Sequence, residues 1–139
     1  VSIWQKEISV DILEASHTRS ATATLGLEFV EVGEDFIRAR VPVDARTRWG
    51  DGLHNGVNVV LAETLGSCGA HYATPQNLRA VGLSISANHL KKATSGWVTG
   101  TTRPLRNDAT GQTWQIDITD DDGALVCVSQ ITMALLNAR

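Results

Sequence analysis

Apolar residues repeat at period two over most of this chain and at helical spacing in its middle, and the switches mark the elements. Val10, Ile12 and Leu13 stand among polar residues over 9–15, which predicts a short helix with Asp11 in its favourable first turn. Residues 17–24 are small and polar and are expected as loop. Residues 25–32 and 36–43 are rich in β-formers and joined by Gly33-Glu34-Asp35, a hairpin signal. In the second run Ile37, Ala39, Val41 and Val43 share one face, with Arg38 and Arg40 on the other. Residues 44–52 are expected as a loop carrying Trp49 and two glycines.

From Gly56 to about Tyr72 the period becomes helical. Val57, Val59, Val60, Leu61, Ala62, Leu65, Cys68 and Ala70 wrap nearly the whole circumference, so this helix is expected to be buried. Asn55 is its expected cap, and Gly66 and Gly69 would let neighbours approach closely. Beyond Pro75-Gln76-Asn77, Val81, Leu83, Ile85 and Ala87 alternate with Gly82, Ser84, Ser86 and Asn88. Strand patterns continue over 97–105, 113–119 and 125–136, the last two joined by the turn Asp120-Asp121-Asp122-Gly123. Antiparallel strands around one nearly all-apolar helix predict an α+β fold, a single domain over 1–139 with a curved sheet enclosing the helix.

Composition narrows the possibilities. With 42% apolar and 19% charged residues in a chain of 139, one folded domain with a real core is expected. The net charge of -3 is spread along the chain, leaving no basic stripe for nucleic acid, though local Lys or Arg residues can still grip a phosphorylated small molecule. No apolar run reaches the ~20 residues of a membrane span and no leader-like segment is visible, so the expected address is the cytoplasm. Cys68 and Cys127 sit in apolar runs and are expected as reduced core residues.

Glu63 is the conspicuous residue, a carboxylate inside the apolar helical run. Either it reaches the one exposed seam of the helix, or it is a desolvated base or nucleophile with a raised pKa. His54 precedes the helix, whose first amides point outward and suit a developing oxyanion. His54 and Glu63 are nine positions apart, ~13.5 Å along a helix, so cooperation at one carbonyl requires two chains related by a two-fold axis. His89 continues the apolar face of its strand, as a core histidine or a substrate contact. Lys91 and Lys92 follow it as a solvated pair or a phosphate grip. No glycine-rich phosphate loop or serine-nucleophile elbow is present, and histidines at 17, 54, 71 and 89 do not form a metal set.

The run Leu53-His54-Asn55-Gly56-Val57-Asn58-Val59-Val60-Leu61-Ala62-Glu63-Thr64-Leu65-Gly66-Ser67 resembles the helix motif of hotdog-fold acyl-CoA thioesterases. The similar branch contains the phenylacetate-pathway, hydroxybenzoyl-CoA, dihydroxynaphthoyl-CoA and enterobactin-proofreading enzymes. Val81-Gly82-Leu83, Asn88-His89, Pro104-Leu105 and Trp114-Gln115-Ile116 match it too, so the resemblance covers nearly the whole chain.

The resemblance implies thioester hydrolysis of an acyl-CoA, with an aroyl or arylacetyl group, by Glu63 as nucleophile or as general base on water. It implies carbonyl polarisation by the Asn55 amide, with His54 shaping the pocket. Gly56, Ser67, Trp49 and Asp51 become the expected substrate contacts. Gly82, His89, Leu90, Lys91 and Lys92, and the loop Arg106-Asn107-Asp108-Ala109-Thr110-Gly111, become the expected coenzyme A contacts. No cofactor is implied beyond the coenzyme A of the substrate, and no metal. The family forms dimers with the site at the interface, commonly paired back to back as tetramers. Two departures stand out: Asn55 replaces the usual glycine, and the preceding loop is one residue shorter, with Trp49 where relatives carry a glutamine and Asp51 as an added carboxylate. The substitution at Asn55 keeps open a non-catalytic acyl-CoA-binding module, and a dehydratase or hydratase on the same scaffold, with His54 or His89 as base, is a further alternative.

Overall fold

The computed structural model describes residues 1–139. Helix α1 (Val10–Ser16) is capped by Ser9, whose side chain accepts from the Ile12 amide. The segment expected as loop contains one further helical turn, α2 (Ala21–Thr24), because Ser20 caps it by accepting from Ala23 N–H. Strands β1 (Glu28–Val32) and β2 (Ile37–Pro42) form the expected hairpin. The loop after it closes on a two-residue ladder between β3 (Arg48–Trp49) and β4 (Gly52–Leu53). Helix α3 (Asn55–Tyr72) follows, then β5 (Leu78–His89), β6 (Trp97–Asp108), β7 (Gly111–Thr119) and β8 (Leu125–Asn137).

Six strands make one antiparallel sheet in the order β1-β2-β6-β7-β8-β5, and α3 packs against β2, β5, β6, β7 and β8. Leu61, Ala62, Leu65 and Ala70 of α3 are fully buried, against Val98, Trp114, Ile116 and Ile131 from the strands. Close approach depends on missing side chains. A Cβ on Gly69 would stand 2.6 Å from Trp114 Cζ3, and one on Gly100 would stand 2.7 Å from Leu65 Cδ1. Trp114 is buried with its Nε1–H donating to Gln112 at 2.7 Å, and Gln112 donates to Thr74 at 3.0 Å, so the polar groups of this buried chain answer one another. No helix is long and apolar enough to cross a membrane.

The register shifts at four places in the sheet, and two of these irregularities displace leucines from the simple alternation. The register slips between Gly82 and Ser84 on β5, and between Pro104 and Arg106 on β6. Gly82 therefore faces α3 before the bulge, and Ile85 and Ala87 face it afterwards. Leu83, expected with the apolar face, is instead 68% exposed, and Leu105 is 56% exposed for the same reason. Strands β6 and β7 also run further than expected. The segment from Arg106 to Gly111 is a strand end and a tight turn, in which Asp108 accepts from Thr110 N–H at 2.9 Å and Gly111 N–H at 3.2 Å.

Candidate functional site

Helix α3 carries two separate clusters, one at its start and one midway. The start is capped by His54 and not by Asn55: His54 Nδ1 accepts from Gly56 N–H at 2.8 Å. An accepting Nδ1 places the proton of the neutral ring on Nε2. The Val57 amide donates to His54 O at 2.9 Å, and Asn55, the first helical residue, is left with an N–H that has no acceptor within the chain. No non-glycine residue has positive φ, so Asn55 occupies ordinary backbone and the family's glycine is not required there.

Around that amide lies a cavity of about 260 Å³ lined by Trp49, Leu53, His54, Asn55 and Lys92. Trp49 is 70% exposed, and Lys92 Nζ stands 5.8 Å from its ring centroid. Asp51 pairs with Lys92 at 3.1 Å, and that hydrogen bond holds its carboxyl below the usual carboxylate range. Lys91 pairs with Asp120 at 2.6 Å, and Arg106 with Asp108 at 2.8 Å. All three cations expected at coenzyme A are thus answered by carboxylates, though each remains about half exposed.

Midway along α3, Glu63 is exposed. Of the two readings, the open seam is observed and the desolvated carboxylate is not: within one chain Glu63 lies on the exposed side of the helix, beside the half-buried Val59, Val60, Thr64 and Ser67. Ser67 Oγ donates to Glu63 Oε2 at 3.0 Å, the i to i+4 contact of a helix face. Gly82 faces the same carboxylate, and a Cβ there would stand 3.7 Å from Oε2. Glu63 opens onto a groove of about 480 Å³ lined by Ser16, His17, Thr64, Ser67, Cys68, His71 and Tyr72. Asn55 and Glu63 are eight residues apart on the helix, ~12 Å along its axis.

Sequence reasoning missed most of that groove. His17 was expected in a loop and Cys68 in the core, yet His17 Nε2 stands 3.8 Å from Cys68 Sγ. The available signal was helical spacing, since Ser67 and His71 follow Glu63, and Cys68 and Tyr72 follow Thr64, at steps of four. Both cysteines are free and buried as expected, and burial pushes the Cys68 thiol up to about 12. His89 does meet α3: its Nδ1 lies 3.3 Å from the Asn58 amide nitrogen, while the buried Asn58 Oδ1 has no partner.

Residues 51–127, more than half of the chain, match the family model of the thioesterase superfamily. The chain is 39% identical to the 1,4-dihydroxy-2-naphthoyl-CoA hydrolase of Escherichia coli, over 96% of this chain and 99% of that protein. It is 35% identical to the proofreading thioesterase EntH of Cronobacter turicensis, over 96% of this chain and 98% of that protein. A crystal structure of a thioesterase from Haemophilus influenzae matches with a TM-score of 0.94 at 40% identity, covering 97% of this chain and 95% of that one. A curved antiparallel sheet around one long helix is the hotdog fold, and the relatives at this similarity are named as thioesterases, as a coenzyme A thioester hydrolase or as esterases. The chain belongs to the thioesterase superfamily.

Proposed function

We propose that this enzyme hydrolyses the thioester bond of an acyl-CoA carrying an aroyl or arylacetyl group, at a site completed by two copies of the chain. The supporting observation is the division of the machinery: a groove with an exposed carboxylate at Glu63, and a free helix-terminal amide at Asn55 too far along the same helix to reach it. A two-fold partner brings the Asn55 amide of one copy to the Glu63 groove of the other. The relative named as a 1,4-dihydroxy-2-naphthoyl-CoA hydrolase supports a coenzyme A thioester with an aromatic acyl group, and the proofreading thioesterase supports thioester cleavage.

In this mechanism the thioester carbonyl oxygen accepts from the second copy's Asn55 N–H, which stabilises the charge that develops on addition. Glu63 adds to the carbonyl carbon, the coenzyme A thiolate leaves, and water hydrolyses the resulting anhydride. Alternatively Glu63 takes a proton from water as that water adds, and the proton follows the leaving thiolate. Ser67 orients the carboxylate in either route. Trp49, Asp51, His54 and Gly56 bound the carbonyl end. Gly82, His89, Leu90, Lys91 and Lys92, with the turn from Arg106 through Asn107, Asp108, Ala109 and Thr110 to Gly111, offer contacts for coenzyme A, the cations exchanging carboxylate partners for phosphate. The dimer pairs back to back into a tetramer in this reading, and the enzyme works in the cytoplasm.

A dehydratase or hydratase needs a histidine base, and His54 is poorly suited because its Nδ1 is occupied by the helix cap. The test is free-thiol release from benzoyl-, hydroxybenzoyl-, phenylacetyl- and fatty acyl-CoA esters, with Glu63→Gln beside the natural enzyme. Turnover should fall by ~10³ in the variant. Coenzyme A binding without turnover of any ester would sink the hydrolase reading and leave a binding module, with Asn55→Gly the first reversion to make.

A further inference from the structure

The groove beside Glu63 has an uneven lining whose far end is built as a hydrogen-bond acceptor. His17 closes α1, and its Nδ1 lies 2.8 Å from Leu13 O. A carbonyl only accepts, so Nδ1 carries the proton of the neutral ring and Nε2 presents its lone pair. Packing of the ring against Phe29, at 4.9 Å between centroids, fixes its direction. Nε2 then points at the groove wall, where its neighbour is the Cys68 thiol at 3.8 Å, beyond the length of a strong hydrogen bond. Cys68 is a neutral thiol and a weak donor, so the acceptor is only weakly engaged.

Spacing connects this acceptor to the reaction. Cys68 is five residues beyond Glu63 on α3, ~7.5 Å along the axis and turned ~140° about it, and Glu63, Cys68 and His17 line the same groove of about 480 Å³, which has room for one aromatic ring with its carbonyl. The wall between them is polar, with Thr64 and Ser67 along it and Ser16 and His71 near the end. A long alkyl chain laid there would strip water from those groups and return no hydrogen bonds.

We propose that His17 Nε2, with Cys68 at its edge, is the specificity-determining acceptor for a hydroxyl carried on the acyl group. Donor-bearing acyl groups are then hydrolysed in preference to isosteres that lack the donor. This rests on the proposed role of Glu63 in thioester cleavage, and it adds the group that selects the acyl moiety.

The experiment compares kcat/KM for 3- and 4-hydroxybenzoyl-CoA with the matching methylbenzoyl-CoA esters, which are similar in size and donate nothing. The natural enzyme should favour the hydroxyl in at least one isomer by about 10-fold or more. His17→Phe keeps an aromatic ring against Phe29 but removes the acceptor, and should bring that ratio to within about 2-fold of unity. Should His17→Phe fail to fold, Cys68→Met decides, because its flexible apolar chain covers Nε2 from the groove side and should flatten the ratio equally. A natural enzyme with a flat ratio for both isomers overturns the proposal, as does a ratio that survives either folded variant. Glu63→Gln separates the two levels. Hydrolysis that depends on Glu63 but ignores the hydroxyl sinks only the role of His17, whereas hydrolysis that survives Glu63→Gln, or is absent for every ester, sinks the function and the inference with it.

Discussion

The two edges of the sheet meet solvent on different terms. Strand β1 spans five residues, is interrupted by a bulge between Phe29 and Glu31, and carries Glu28 and Glu31 paired with Arg40 and Arg38. Helix α1 packs over it, and Phe29 N–H donates to the Glu14 carboxylate at 2.6 Å. Strand β5 spans twelve residues, and from Ala80 to Asn88 it carries no charge. No other strand of the chain pairs with its outer side. Edges left long and uncharged invite pairing, and proteins blunt the ones that must stay single. One edge here is defended and the other is open, which makes β5 the side we assign to a second copy. Glu63 faces Gly82 on that same strand, so the open edge and the candidate carboxylate belong to one surface.

The largest effect should come from charging the open edge. Ser84 and Ser86 are exposed on β5, and two-fold pairing would bring added carboxylates of both copies into one ladder. Ser84→Glu with Ser86→Glu should reduce the sedimenting mass to that of a single chain. Hydrolysis should fall by ~10³ along with it, because neither half-site is then complete. Val30→Glu on β1 should leave the mass unchanged, and a mass change there would erase the distinction between the edges.

A slightly smaller loss tests the division of labour across that edge. Asn55→Pro deletes the free N–H while keeping α3, since proline suits the first helical position and His54 already has the extended backbone that a following proline requires. We expect kcat to drop ~10² to 10³, the scale for one oxyanion donor, while Asn55→Gly, which keeps the amide, stays within about 3-fold of the natural enzyme. Mixed in equal amounts with Glu63→Gln, the Asn55→Pro chain should regain about a quarter of natural activity: half the dimers are mixed, and each has one intact site. No recovery on mixing would place both groups in a single chain's site.

How far the sequence carried this arrangement depends on the kind of signal. Period-two strands and the helical run around Leu61 and Leu65 were legible because burial on one face imprints alternation directly. The bulges at Leu83 and Leu105 were not, since one extra residue shifts phase without changing composition. Asn55 looked like the cap because of its residue type, yet the ring of His54 reaches the Gly56 amide. Glu63 was legible as an outlier, and of the two readings its position allows, the exposed seam is the one observed within a single chain. Val59 and Val60 read as core when they are half-buried beside an open seam. His17 and Cys68 meet across 51 positions, and no local pattern announces such a contact.

On the defended edge the effects should be thermodynamic and modest. Glu14→Ala leaves the Phe29 amide without its acceptor and should lower stability by ~1–2 kcal/mol in urea unfolding, the penalty for a partly buried donor. A shift well below that range would mean that water replaces the carboxylate freely and that α1 does not guard β1.

The smallest effect belongs to Glu28→Ala. Its partner Arg40 also lies over the Trp97 ring, 3.8 Å from the centroid, so the guanidinium stays seated when the carboxylate is removed. Both members of the ion pair are more than a third exposed, where such a pair contributes ~0.5 kcal/mol or less and is screened by salt. The expected outcome is a stability change of that size, vanishing by about 1 M salt, with no change in assembly. If Glu28→Ala instead promoted self-association, the charge itself would be what keeps β1 single, and the edge would be guarded by electrostatics more than by the cover of α1.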